Sequence, residues 1–185
     1  MLSTTELFVQ HIISGILSLL WILLIIFCFT SIDPTLLPII KDLWGLFAVV
    51  TTAIAYPVGI FVDTIADKVL ENWNKKIKAR HGLPADFSLL VFLHENKDDN
   101  NLLSYFTYNR FKTRVARSSF INFTMIGIAG AAFVLFQGPT LGIMQSGKIA
   151  GILFITFIVF AGTALYLWKE IAETVYQRAA ELRSM

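Results

Sequence analysis

The sequence predicts an all-α, polytopic membrane protein with four transmembrane helices, because four apolar blocks are each long enough to cross a bilayer. The blocks occupy residues 12–32, 43–62, 120–136 and 149–168. The first contains no charged residue, and fourteen of its twenty-one positions are Ile, Leu or Phe. About 20 apolar residues in a helix cover a hydrocarbon core of about 30 Å. We therefore expect the 185 residues to form a single membrane domain.

The first block is expected to remain in the protein as a helix. Its apolar core is longer than that of a cleaved secretory signal, no Lys or Arg precedes it, and no small-residue cleavage site follows it. The one cysteine, Cys28, lies inside this block. A single cysteine excludes an internal disulfide and a cysteine-based metal cluster.

The positions of the basic residues predict how the chain crosses the membrane. Ten of the 15 Lys and Arg residues lie between the second and third blocks and three follow Trp168, which leaves Lys41 and Lys148 for the other two connections. Because basic residues accumulate in cytoplasmic loops, we predict that residues 63–119 and both termini are cytoplasmic. The two outer connections are too short to form a binding domain.

Helical periodicity continues beyond the second block and begins before the third. Apolar side chains recur every four residues after the second block, at Ile65, Val69, Trp73 and Ile77. The sequence His-Gly-Leu-Pro at 81–84 then ends this helix. No Gly or Pro occurs between 102 and 126, so one helix is predicted over about 102–136. The two extensions and their connection predict a cytoplasmic helical hairpin over 63–119.

Three local features are less regular. Pro57 inside the second block predicts a kink, because proline removes one backbone hydrogen bond. Residues 87–94 suit either a short strand or a buried apolar turn, and residues 95–101 are typical of a polar loop. The tail after Trp168 predicts a short helical continuation of the fourth block. The apolar residues near one face of this tail are Ile171, Val175 and Leu182.

Three charged residues are predicted to meet at one membrane surface. Asp63 directly follows the second block, and Arg114 and Arg117 precede the third. An ionisable group at that depth needs a counter-charge or water, so we expect an ion pair between the two helices. We favour a structural clamp, and the alternative is a gate or a lipid headgroup site.

Arg110 and Lys112 enlarge this basic cluster beside the membrane. Anionic lipid attracts such segments by about 1 kcal/mol per charge, so membrane lipids are expected partners. Aromatic residues are interleaved with the cluster at 105, 106, 108 and 111, as in platforms that stack nucleic-acid bases. At helical spacing such residues more often pack inside a protein, and we expect no direct contact with nucleic acid.

No group of residues predicts catalysis, a cofactor or a metal site. The candidates are His81, His94 and Glu95, with aspartates at 86, 98 and 99, and their spacing matches no recognised ligand pattern. A solvated loop explains them better. No Asp, Glu, Lys or Arg lies near the centre of a block, which disfavours active transport. We therefore expect a non-enzymatic protein without a cofactor.

Small residues in three of the blocks predict close helix packing and a homo-oligomer, because they let helix backbones approach each other within the membrane. These residues are Ser14, Gly15, Ser18, Gly127, Gly130, Ala131, Gly151, Ala161, Gly162 and Ala164. Some of these faces must pack within one chain. The others are available to join subunits.

A soluble protein partner is predicted to bind the cytoplasmic hairpin. The outer connections offer little area, whereas a standard interface takes about 800 Å² from each partner. The predicted contact residues are one tryptophan and charges of both signs, namely Trp73, Lys75, Lys76, Arg80, Glu95, Asp98 and Asp99. The alternative is that these charges only solvate the helices.

The chain also resembles a known group of proteins. The features that carry the resemblance are Tyr56-Pro57-Val58-Gly59, Asp63, Asp67, Arg114, Arg117 and Asn122. In its layout the whole chain resembles the small four-span proteins of bacterial anti-phage systems, among them the membrane subunit of the Kiwa system. The resemblance implies an inner-membrane homo-oligomer, with a tetramer favoured, that senses a phage-induced change at the envelope and works with a cytoplasmic effector.

Two functions are therefore compared. The first is a membrane sensor or anchor whose cytoplasmic hairpin docks a soluble partner. The second is a pore-forming effector that depolarises the membrane, with a lumen between subunits and Asn122 among the candidate lining residues. An enzyme acting on lipid is a third possibility and lacks a catalytic group of residues.

Overall fold

The computed structural model describes residues 4–30, 43–95 and 99–183, and every regular element in these ranges is a helix. The five helices are α1 (Thr4–Phe29), α2 (Trp44–Arg80), α3 (Leu89–Glu95), α4 (Asn100–Gln137) and α5 (Ser146–Arg183). All except α3 are long and apolar enough to cross a membrane. The all-α prediction with four transmembrane helices is confirmed. The predicted first outer connection, residues 33–42, lies outside the described residues.

Three of the helices are much longer than a bilayer is thick. Helix α2 has 37 residues, and α4 and α5 have 38 each. At 1.5 Å per residue each measures roughly 55 Å, against a hydrocarbon core of about 30 Å. The prediction gave long extensions to α2 and α4 and only a short tail to α5. The structure has all three extensions, and that of α5 reaches Arg183. We name the parts beyond the membrane, with α3, the extramembrane bundle.

The extramembrane bundle has a core to which α3, α4 and α5 all contribute. Its buried residues are Leu83, Phe92, Leu93, Phe106, Val175 and Ala179. A second buried group joins α2, α4 and α5, and consists of Leu70, Ile77, Ala116, Trp168 and Ala172. Burial of these apolar side chains stabilises the bundle. The tail after Trp168 is therefore an integral helix of the bundle.

Helix α3 occupies the segment for which a strand or an apolar turn was predicted, and both alternatives are wrong. The Phe92 amide donates to the Ser88 carbonyl at 3.1 Å, which closes the first helical turn. This turn directs Phe92 and Leu93 into the core, where the Phe92 ring lies 5.7 Å from that of Phe106. Burial against distant residues therefore decides the local structure.

The end of α2 follows the sequence signal, whereas α4 begins inside the segment predicted to be a polar loop. At the predicted stop, Gly82 has a φ of 70° and the Leu83 amide donates to the Lys78 carbonyl at 3.0 Å. This is the Schellman arrangement, in which glycine adopts the left-handed conformation. Helix α4 begins where the Asp99 carboxylate accepts hydrogen bonds from the amides of Asn101 and Leu102, both at 3.0 Å. Asp99 is thus an N-cap residue.

Helices α1 and α2 cross at backbone contact. A Cβ atom built on Gly15 would lie 1.7 Å from the Ala55 carbonyl oxygen, and one on Gly59 would lie 1.8 Å from the His11 carbonyl oxygen. Only glycine permits this approach from both sides. Helix α2 continues without interruption through Pro57, which lies between the two contact positions Ala55 and Gly59. The kink at Pro57 stays a prediction.

The far end of α1 is tied to α4 by one side chain. The Gln137 amide donates to the carbonyl oxygen of Phe27 at 3.0 Å. The last carbonyl groups of a helix have no partner within the helix, and here a neighbouring helix supplies one. The two helices are thereby joined at the membrane surface opposite to the extramembrane bundle.

Candidate functional site

Four charged side chains form a cluster where α2 and α4 leave the membrane. Arg117 donates to Asp63 at 2.8 Å and also to Asp67, and Arg114 lies 3.8 Å from the second oxygen of Asp63. We call Asp63, Asp67, Arg114 and Arg117 the boundary cluster. The structure therefore brings together the three residues predicted to meet, and adds Asp67.

The boundary cluster is largely shielded from solvent. Asp63 is 8% exposed, and the side chain of Arg117 is 13% exposed. Two charges in such a site stabilise a structure only through each other, because each alone would lose its hydration without compensation. Asp67 is the exposed member and neutralises the outer side of the Arg117 guanidinium. This geometry links the two helices as a clamp.

A network of neutral polar groups continues from this level into the membrane. Asn122 of α4 is fully buried, and its side-chain oxygen accepts from the Ser18 hydroxyl at 2.8 Å and from the Trp21 indole at 3.2 Å. Its amide donates to the carbonyl and the hydroxyl oxygens of Ser14 at 3.2 and 3.3 Å. We call these four residues the Asn122 network. It joins α4 to α1.

The Asn122 network uses residues for which another role was considered. Asn122 was a candidate for lining a lumen between subunits, and the structure places it between two helices of one chain, with its hydrogen bonds satisfied there. Ser14 and Ser18 were named only as small residues. Ser14 and Ser18 are four positions apart and Trp21 follows three positions later, so all three lie on one face of α1. This spacing is the sequence signal from which a shared polar contact could have been predicted.

Replacing Asn122 with leucine is expected to weaken the packing of α1 on α4. The substitution removes the acceptor for two donors and the donor to Ser14. Interhelical hydrogen bonds in membranes contribute about 0.6 kcal/mol on average, and at most about 1.7, so a loss of about 1 to 2 kcal/mol is expected. Thermal unfolding in mild detergent measures it. Thr124→Val is the control, because Thr124 donates only within its own helix, to Phe120; equal losses in both variants would contradict the role of the network.

The predicted partner-binding residues fall into two groups. Trp73, Lys76 and Arg80 line one groove between α2 and α5, of about 390 Å³. The other lining residues are Ile77, Trp168 and Lys169. We call this the α2–α5 groove. Trp73 is 48% exposed, and the Arg80 guanidinium lies 3.1 Å from Glu173, which also lies 3.9 Å from Lys169.

The remaining predicted contact residues do not line this groove. Lys75 points to another face of α2 and pairs with Glu71 at 2.6 Å. Asp99 caps α4 and lies outside the groove. Asp98 and the side chain of Glu95 lie outside the described residues. Sequence reasoning missed the groove wall contributed by α5, because the fourth block was expected to end near Trp168.

Some of the small residues contact another helix of this chain, and we call these positions engaged. Others have open space beside them, and we call these positions open. Gly15 is engaged at the crossing of α1 and α2, and a Cβ atom on Gly127 would lie 2.9 Å from the Phe157 side chain. Nothing lies within 4 Å of a Cβ atom built on Gly130, Gly151 or Gly162. These open positions are available to another subunit. The homo-oligomer stays a prediction.

Comparisons with protein-family models, curated proteins and solved structures find no match to this chain. The resemblance to the membrane subunits of anti-phage systems therefore stays a prediction from the sequence. Across the described residues, no three His, Cys, Asp or Glu side chains are grouped so that they could hold a metal ion. The α2–α5 groove and the boundary cluster are thus the features on which a functional argument can be built.

Proposed function

We propose that this chain is a bacterial inner-membrane sensor or anchor subunit whose extramembrane bundle docks a cytoplasmic effector. The α2–α5 groove is the observation that carries the proposal. It combines two tryptophans with three cations, Lys76, Arg80 and Lys169. Tryptophan and arginine dominate the binding energy of protein interfaces, particularly in pockets. The association with anti-phage defence rests on the sequence resemblance alone.

The charge of the α2–α5 groove indicates the chemistry of the partner. Glu173 neutralises part of the positive charge through Arg80 and Lys169, and Lys76 has no carboxylate partner among the described residues. An acidic segment that also carries an apolar side chain would meet the exposed Trp73 ring and the free Lys76 ammonium together. Charge complementarity of this kind raises the association rate and excludes wrong partners.

The boundary cluster supports the sensor part of the proposal. Helix α2 runs without interruption from the membrane into the groove, and the cluster fixes it to α4 at the membrane surface. A shift between α1, α2 and α4 within the membrane would therefore move the groove wall that carries Trp73. Helix α2 is thus a rigid element shared by the transmembrane region and the groove, and such elements carry energetic coupling between two sites.

Two neighbouring lysines provide a matched test of the docking surface. Lys76→Glu places a negative charge in the groove and is expected to lower recovery of the co-purifying soluble effector at least tenfold. Lys75→Glu makes the same change one residue away, outside the groove, and is expected to leave recovery unchanged. Affinity purification in mild detergent with quantitative mass analysis measures both. Equal recovery with the two variants would move the contact away from the groove.

The orientation has its own test. Both termini and the extramembrane bundle are expected on the cytoplasmic side, because thirteen of the 15 basic residues lie there. Reporter enzymes that are active only in the periplasm should therefore be silent when fused after Arg80 or after Met185. A fusion within the 138–145 connection is the positive control and should be active. Activity at Arg80 would overturn the orientation and, with it, a cytoplasmic partner.

A further inference from the structure

We propose that a groove between α4 and α5 binds one anionic phospholipid, with its acyl chain against the phenylalanines and its phosphate at Lys112. This α4–α5 groove has a volume of about 700 Å³. Its lining residues are Phe111, Lys112, Val115, Ala116, Ser119, Phe123, Phe157, Phe160, Thr163, Ala164, Leu167 and Ile171. The proposal holds or fails independently of the docking function.

The composition of the two helices creates the groove. Ala116 and Ala164 are small and buried where α4 and α5 meet, which leaves a hollow between bulkier neighbours. Three phenylalanines at the deep end hold one another in place. The ring centre of Phe123 lies 5.8 Å from that of Phe160, which lies 6.2 Å from that of Phe157. Rigid aromatic walls favour an acyl chain over water, because the groove offers little for water to bind.

The length of the groove along α4 is comparable to the thickness of one leaflet of a bilayer. Eleven helical steps separate Lys112 from Phe123, and they correspond to about 17 Å along α4. The headgroup layer measures roughly 5 to 8 Å and half of the hydrocarbon core about 15 Å. Phe123 belongs to a predicted transmembrane block, and Lys112 lies beyond the boundary cluster. An amphiphile in this groove would thus keep its head at the surface and its chain in the core.

Lys112 determines which headgroup the groove would accept. No carboxylate among the described residues pairs with it, and its ammonium lies 4.3 Å from the centre of the Tyr108 ring. A cation–π contact orients the ammonium without neutralising it. The groove lining contains no acidic residue. A free cation at the open end of an apolar groove is complementary to a lipid phosphate with a net negative head.

The test compares lipids that differ only in the head. The purified protein is mixed in detergent with phosphatidylglycerol or phosphatidylcholine of identical chains, and bound lipid is counted by native mass spectrometry. One interfacial lysine corresponds to a preference of about fivefold for the anionic lipid. Lys112→Ala is expected to abolish this preference. Lys68→Ala is the control, because Lys68 is an exposed lysine of α2 that also lacks a carboxylate partner among the described residues and lies away from the groove.

A second pair of variants tests the acyl-chain part. Thr163→Trp fills the groove and is expected to reduce binding of both lipids at least fivefold. Thr156→Trp is its control, because Thr156 is also exposed, makes the same hydrogen bond within α5 and lies outside the groove. A preference that survives Lys112→Ala, or is lost equally in Lys68→Ala, would overturn the lipid site. Unchanged lipid binding in Thr163→Trp with a smaller oligomer mass would also overturn it, since a second copy would then cover the groove.

Discussion

Gly15→Leu is expected to separate α1 from α2 and to abolish the stable fold. The Cβ atom of any other residue at position 15 would lie 1.7 Å from the Ala55 carbonyl oxygen, well inside contact distance. Overpacking of a side chain that can move costs about 1 to 3 kcal/mol. Here the obstructing atom belongs to the backbone of a helix, so the whole helix must shift, and we expect a loss above about 3 kcal/mol. Thermal unfolding in detergent, followed by size-exclusion chromatography, measures it.

Gly45→Leu is the matched control for this prediction. Gly45 lies in α2, the partner helix in this crossing, and nothing lies within 4 Å of a Cβ atom built on it. In open space a leucine replaces glycine without a clash and favours the helix by up to about 1 kcal/mol. The control is therefore expected to match or exceed the natural sequence in stability. If Gly15→Leu unfolded at the same temperature as Gly45→Leu, the crossing of α1 and α2 would have to lie elsewhere.

The sequence predicts the helices themselves because the signals for them are local. Four apolar blocks predict the four transmembrane helices, and the stop at 81–84 lies at the end of α2 that it determines. The cap at Asp99 was not predicted, because this residue lies in a segment that reads as a polar loop. Helix α3 escapes such reasoning because the residues that bury Phe92, among them Phe106 of another helix, are distant in the sequence. Pro57 does not end α2, as expected for a proline predicted to kink a helix, and the kink itself stays a prediction.

The candidate site was partly predictable for the same reason. Charges next to a membrane block must find partners, and this argument led directly to Asp63, Arg114 and Arg117. The α2–α5 groove depends on Trp168 and Lys169, which look like the end of a transmembrane block in the sequence. Alanine is also hard to recognise as a core residue from the sequence. Ala172 is buried with Trp168 in the bundle core, but a single alanine is only weakly apolar. The sequence therefore predicts the helical continuation after Trp168 but not its place in the bundle core.

The glycines show most clearly which packing contacts cannot be predicted from the sequence. Gly15 and Gly162 both lie in transmembrane helices, and their sequence context marks each as a small residue suited to packing. In the structure one is in backbone contact with α2 and the other faces open space. The difference depends on which helix lies opposite. Only the tertiary arrangement supplies that information. The sequence can therefore indicate that some small residues join subunits, but not which helix face carries them.

Arg117→Ala is expected to cause the second large loss, because it leaves Asp63 buried with only Arg114 at 3.8 Å. Removing one partner of a buried ion pair costs about 3 to 5 kcal/mol. In a chain of this size such a loss lowers the unfolding temperature by more than about 6 °C. Lys75→Ala is the control, since it breaks the exposed pair with Glu71, and exposed pairs contribute little.

A double-mutant cycle then shows whether Asp63 and Arg117 act as a pair. Exchanging the two residues would be ambiguous, because the new arginine would face Arg114 and the new aspartate would face Asp67. Asp63→Asn and Arg117→Gln instead remove the charges and keep a polar amide at each position, although Gln is shorter than Arg. Each alone leaves one charge with only its weaker partner, Arg114 for Asp63 or the exposed Asp67 for Arg117, whereas both together leave two neutral amides in place of the pair. We therefore expect the double variant to lose less stability than the sum of the single variants, by at least about 1 kcal/mol. Strictly additive losses would show that the two side chains stabilise the membrane boundary separately, and that the boundary cluster is no clamp.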